Sequence, residues 1–100
     1  MVSRPISRKV LDASVAVGEH ITTWRKLLGL TAAQVADRAG IARGTLARLE
    51  HGDGGASLNA FLSVLNGLGQ LQRVVDATDP YDTDLGRARA DQILPQRVRT

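Results

Sequence analysis

Apolar residues recur at helical spacing through much of this chain. Between Leu11 and Leu28, the positions Val17, Ile21, Trp24 and Leu28 lie three or four apart, with Leu27 alongside, so they share one helix face. Gly18 interrupts that stretch at a cost of about 1 kcal/mol relative to alanine, which places the helix start nearer Gly18 than Leu11. Gly29 ends it. Thr31 and Gln34 then form a capping box, in which the threonine hydroxyl accepts from the Gln34 N–H and the glutamine side chain reaches back to the Thr31 N–H. A short second helix follows, from Ala32 to about Ala39, with Leu30 able to pack on Val35 or Ala36. After Gly40, residues Ala42 to Glu50 predict a third helix with Leu46 and Leu49 on one face and Ile41 pointing inward just before it. A glycine-containing loop leads to Ser57, which caps a fourth helix, Leu58 to Leu68, with apolar positions Leu58, Phe61, Leu62, Leu65 and Leu68. The segment from Gln70 to Ala77 carries Leu71, Val74 and Val75 at helical spacing, although Val74-Val75 suits a short strand equally.

The two ends read differently. Residues 1–10 are polar and basic, and Pro5 opposes an early helix, so they form a flexible basic arm. From Thr78 onward, Asp79-Pro80, Gly86 and Pro95 interrupt the pattern and charges alternate in sign. Residues 79–100 are expected to be a mostly disordered tail, with at most a helical turn around Leu85 to Leu94. The organisation predicted is therefore arm, one helical domain over 11–78, and tail. The fold class is all-α, a compact bundle of four to five helices.

Composition narrows this reading. One hundred residues support one modest core. The only aromatics are Trp24, Phe61 and Tyr81, so that core must be built from Leu, Val, Ile and Ala. The chain has no cysteine, which excludes disulfides and thiolate metal sites and fits a reducing compartment. No apolar run approaches the roughly 20 residues of a membrane span, so a cytoplasmic protein is expected. The net charge is +3, and all of the surplus lies in residues 1–78, which hold nine Lys/Arg against six Asp/Glu, whereas residues 79–100 hold four of each. A basic folded part favours a polyanionic partner.

The informative unit is Thr31 to Gly52. Ala36 is small where a second helix must approach, Gly40 stands where the turn needs positive φ, and Ile41 and Leu46 plug the crossing. These spacings predict a helix-turn-helix, which leaves the outer face of the second helix free to enter a DNA major groove. Other chemistry is poorly supported. His20 and His51 lack partners at metal-ligand spacing. The glycines at 52, 54 and 55 follow no strand and precede no Lys-Ser/Thr, and no serine sits in a nucleophile elbow. No catalytic residue, metal or other cofactor is expected, and the chain does not read as an enzyme.

The run LTAAQVADRAGIARGTLARLEHG resembles the helix-turn-helix of the lambda-repressor-like, or Xre, family, and SLNAFLSVLNGLG is similar to that family's fourth helix. The resemblance covers about residues 17–78. It implies that the start of the third helix lies against base edges, so that Arg43, Gly44 and Thr45 come first and Ala47 and Arg48 follow a turn later. Arg43 and Arg48 then suit guanine edges or phosphates, and Thr45 a base edge or a thymine methyl. The family often places glutamine, a phosphate ligand, where this chain has Ala32. That anchor is missing, so Thr31, Gln34 and the helix N-terminal amides, together with His51 and the glycine loop, must hold the backbone. The resemblance also implies a largely buried structural ion pair between Arg25 and Glu50.

One reading helix contacts few base pairs, so a homodimer on a palindromic operator is expected. The apolar surface of the fourth helix with Leu71, Val74 and Val75 can serve the dimer or the monomer core. Regulators of this kind are often autorepressors, and many are antitoxins. The tail GRARADQILPQRVR is similar to the ends of HipB-like antitoxins that accompany HipA-like kinase toxins. Tyr81, Leu85, Ile93, Leu94 and Val98 are its candidate partner-binding residues. Double-stranded DNA and a toxin protein are therefore the expected partners. A protein-neutralising module whose main task is binding a toxin stands as the alternative to a DNA-binding autorepressor.

Overall fold

A computed structural model of the chain describes residues 5–93. The protein is all-helical, with no strand among those residues. Its elements are α1 (Arg8–Leu27), α2 (Ala32–Ala39), α3 (Arg43–Glu50), α4 (Leu58–Gly67) and α5 (Leu71–Thr78), then a 3₁₀ turn (Pro80–Asp82) and α6 (Asp84–Ala88). Local chemistry starts three of the helices. The hydroxyls of Ser7, Thr31 and Ser57 accept from Val10 N, Gln34 N and Ala60 N, satisfying one orphan donor each. At α2 the box closes in both directions, with Gln34 Oε1 accepting from Thr31 N at 2.8 Å. The segment at Leu71, open to helix or strand on sequence grounds, is the helix α5.

The core lies where α1 to α4 meet. Ile21, Val35, Ala36, Leu46, Val64, Leu65 and Leu68 are buried, and Trp24, Leu30, Ile41, Leu49, Phe61 and Val74 pack around them. Trp24 also lies under the Arg73 guanidinium, 6.0 Å from its ring centroid. Between α2 and α3, Gly40 adopts φ 68°, ψ 33° and its N–H closes back on the Ala36 and Asp37 carbonyls. Nothing lies within 4 Å of where a Gly40 side chain would begin, so an alanine there meets only backbone strain. Gly40→Ala is expected to cost about 1 kcal/mol, lowering the thermal midpoint by roughly 5 °C. An unchanged melting curve would show that the turn tolerates a β-carbon.

Two expectations are corrected. The first helix begins at Arg8, not near Gly18. Gly18 sits mid-helix because it is buried against the end of α3, so its missing side chain is required by packing and is no sign of a break. Residues 8–10 consequently belong to α1 and not to an arm. The stripe on α1 is also less buried than its spacing implies, since Leu27 is 73% exposed and Leu28 45%. A 20-residue helix is about 30 Å long, and only its middle crosses the body of the bundle.

In the tail, the helical turn expected around Leu85 is α6, and local hydrogen bonds shape the described residues 79–93. The residues that look like interruptions build the helix starts. Asp79 Oδ1 accepts from Tyr81 N at 2.9 Å, Pro80 opens the 3₁₀ turn, and Thr83 Oγ1 accepts from Gly86 N at 3.0 Å to cap α6. Arg87 then ties Tyr81 O and Asp84 together. None of residues 79–93 is buried, so hydrogen bonding within the segment, not packing on the core, shapes it.

Candidate nucleic-acid interface

α3 has two unlike sides. Leu46 is fully buried and Leu49 packs on the core, which fixes the inner side. Arg43, Gly44, Ala47 and Arg48 are exposed on the outer side, and Thr45 is half-buried between the two. One short helix therefore carries two guanidinium groups a little over one turn apart, with a small residue and a hydroxyl between them. The N-cap of α3 is Ala42, whose side chain accepts no hydrogen bond. The first amides of α3 thus lack the side-chain partner that Ser7, Thr31 and Ser57 provide at their helices, and the positive end of the helix dipole faces outward.

The remaining candidates flank this face in sequence and are exposed. Thr31 and Gln34 occupy the start of α2, where the capping box uses the Gln34 Oε1 and leaves its amide NH₂ free. His51 follows α3, and its Nδ1 lies 2.6 Å from the Ala47 carbonyl. A carbonyl only accepts, so Nδ1 donates there and Nε2 is left available. Asp53 Oδ1 accepts from Gly55 N at 2.8 Å, fixing the turn of the glycine loop.

Behind α3 stands a charged brace. Arg25 Nε donates to Glu50 Oε2 at 2.9 Å and its Nη2 donates to Oε1 at 3.0 Å, a bidentate pair whose side chains are only 16% and 11% exposed. Arg25 Nη1 also reaches the Leu30 carbonyl at 3.4 Å. Burial by itself pushes the Glu50 carboxyl up. The hydrogen bonds from Arg25 and Thr22 and the charges of Arg25 and His51 together outweigh it and hold the group below its ordinary value. The hydrogen bonds to Glu50, with its charge, raise the Arg25 guanidinium against the opposing effect of burial.

Two residues of this brace are missing from the sequence reading. Thr22 Oγ1 bonds both the Gly18 carbonyl and Glu50 Oε1, each at 3.1 Å, and Gly18 touches the end of α3 directly. Their spacing is the available signal, since Gly18, Thr22 and Arg25 lie at i, i+4 and i+7 on one face of α1. Of the tail candidates, Tyr81 is 41% exposed, Leu85 61% and Ile93 54%, whereas Leu94 and Val98 lie outside the described residues. No helix among the described residues is long and apolar enough to cross a membrane.

No curated protein and no solved structure matches the chain. A family model for the helix-turn-helix domain matches residues 16–78, which run from within α1 to the end of α5 and make up more than half of the chain. The chain therefore belongs to the helix-turn-helix domain family of DNA-binding regulators.

Proposed function

We propose that this protein is a sequence-specific transcriptional regulator that reads the major groove of a palindromic operator as a homodimer. The observation that carries the proposal is the division of α3, with Leu46 fully buried on one side and Arg43, Gly44, Ala47 and Arg48 uncovered on the other. Arg43 and Arg48 address guanine edges, Thr45 a base edge or thymine methyl, and Gly44 and Ala47 permit close approach. Thr31, Gln34 and His51 contact phosphates on either side. Such a protein works in the cytoplasm, in keeping with its lack of cysteine.

The dimer needs a surface that the monomer does not consume. On α4 and after it, Leu65 and Leu68 belong to the core and Val74 packs against it, whereas Leu58 is 68% exposed and Val75 50%. Leu58 also borders an apolar groove of about 640 Å³ between α1 and α4, lined by Val10, Ala13, Val17, Leu49 and Phe61. The dimer face accordingly includes Leu58.

Selection of bound duplexes from a random pool tests the reading. The chain should enrich a sequence with two inverted half-sites, and the logarithm of its affinity should fall linearly with that of salt as phosphate contacts release counterions. Failure to enrich any sequence would refute the proposal.

We further propose that the regulator is an autorepressing antitoxin whose tail docks on a HipA-like kinase toxin. What favours this is a C-terminal segment that is helical at Pro80–Asp82 and Asp84–Ala88 and yet leaves Tyr81 and Leu85 uncovered, with Ile93 uncovered beyond it. Deleting residues 79–100 should abolish co-purification with the product of an adjacent kinase-like reading frame and leave DNA binding intact. If both activities persist, the tail is not the docking element. If toxin binding is the sole activity, the protein is a neutralising module and not a repressor.

A further inference from the structure

We infer that Gly18 and Gly52 form a close backbone seat that sets the pose of α3, which makes Gly18 a positioning residue for DNA reading. The inference rests on the assignment of α3 as the reading helix. A β-carbon built on Gly18 would lie 2.5 Å from the Leu49 carbonyl oxygen, 2.7 Å from that of Glu50 and 2.9 Å from Gly52 N. All three are backbone atoms at the end of α3, which cannot swing aside as a flexible side chain does. The contact is matched from the other side. A β-carbon on Gly52 would lie 2.7 Å from Val15 Cα, and Gly52 also adopts φ +83°. The two backbones therefore meet directly at Gly18, and on the Gly52 side a β-carbon would also lie 2.9 Å from Val15 Cγ2. Thr22 ties the seat to the brace, because its hydroxyl bonds the Gly18 carbonyl one turn back and Glu50 Oε1 across the interface.

The seat lies at one end of an eight-residue helix whose middle is held by the fully buried Leu46. Pushing the C-terminal end of α3 away from α1 must tilt it about that anchor and move Arg43, Thr45 and Arg48 relative to the rest of the domain. Hydrogen bonds to base edges tolerate only a few tenths of an ångström. Phosphate contacts made by long flexible side chains tolerate more. A tilt should therefore erode discrimination between sequences more than it erodes overall affinity for DNA.

The test uses the full chain and the duplex that the wild type selects from a random pool. Gly18→Ala is compared with Gly69→Ala, a variant that loses stability through its left-handed backbone (φ +74°) but has nothing within 4 Å of its new side chain. At a temperature where all three proteins are folded, Gly18→Ala should lower the ratio of specific to scrambled-duplex affinity by roughly tenfold or more. Gly69→Ala should leave the ratio unchanged. The free Gly18→Ala protein should also show amide shift changes along α3 out to Arg43. If Gly18→Ala fails to fold, Thr22→Val, which keeps the side-chain shape and removes the hydroxyl, should lower the same ratio by a smaller factor. An unchanged ratio in the folded variant, or an equal fall in Gly69→Ala, overturns the inference. Should the wild type enrich no sequence, the DNA reading itself fails and the role of the seat falls with it, an outcome distinct from an unchanged ratio.

Discussion

Replacing Arg43 and Arg48 together by glutamate is expected to abolish sequence-specific DNA binding and leave the fold intact. A well-placed bidentate arginine contributes about 1–3 kcal/mol of discrimination, so losing two removes at least about 30-fold in affinity at the selected site. The introduced carboxylates then repel phosphates and deepen the loss. Stability should hardly change, because both side chains are exposed and neither forms an ion pair or a side-chain hydrogen bond among the described residues. Surface changes of that kind stay within about 0.5 kcal/mol. A mobility-shift titration checks binding and a thermal melt checks the fold. A double variant that binds with wild-type affinity and an unaltered salt slope would remove α3 from the interface.

Glu50→Gln should produce a large loss of stability, on the order of 3 kcal/mol at neutral pH. Breaking a buried pair leaves the other charge without compensation, at about 3–5 kcal/mol. The residual 16% and 11% exposure places this pair at the lower end. For a domain of this size the thermal midpoint should fall by roughly 15 °C. The pair also has a pH signature. The folded-state pKa of Glu50 is lowered, so its contribution is complete above the ordinary value of 4.5 and is lost as pH falls through the lowered folded value. The melting temperatures of wild type and Glu50→Gln should therefore differ most near neutrality and converge in acid. A difference that stays constant down to pH 3 would show that the charge of Glu50 contributes nothing.

Much of the helix-turn-helix was legible because its signals are local. Thr31 with Gln34, and Ser57 before an apolar run, mark helix starts through hydrogen bonds that close within four residues. Gly40 and Ala36 mark a turn and a close approach within one short motif. The start of α1 was not legible, because the role of Gly18 depends on the carbonyls of Leu49 and Glu50, some thirty positions away. Propensity alone counts that glycine as a defect, and only the tertiary contact makes it a requirement. The exposure of Leu27 and Leu28 was hidden for a related reason. Periodicity identifies a face but not how far along a long helix that face stays covered. In the tail, Asp79, Pro80 and Thr83 have the composition of a linker and the positions of caps, and composition outweighed position. For the outer face of α3, spacing could place Arg43, Thr45 and Arg48 on one helix. What they touch depends on a molecule that the sequence does not contain.

The central claim is that the uncovered face of α3 meets DNA. Titrating isotope-labelled chain with its selected duplex, and following amide chemical shifts, tests it most directly. The largest changes should fall on Arg43, Gly44, Thr45, Ala47 and Arg48, with smaller ones at Thr31, Gln34 and His51. Shifts confined to α5 and α6, with α3 silent, would contradict it.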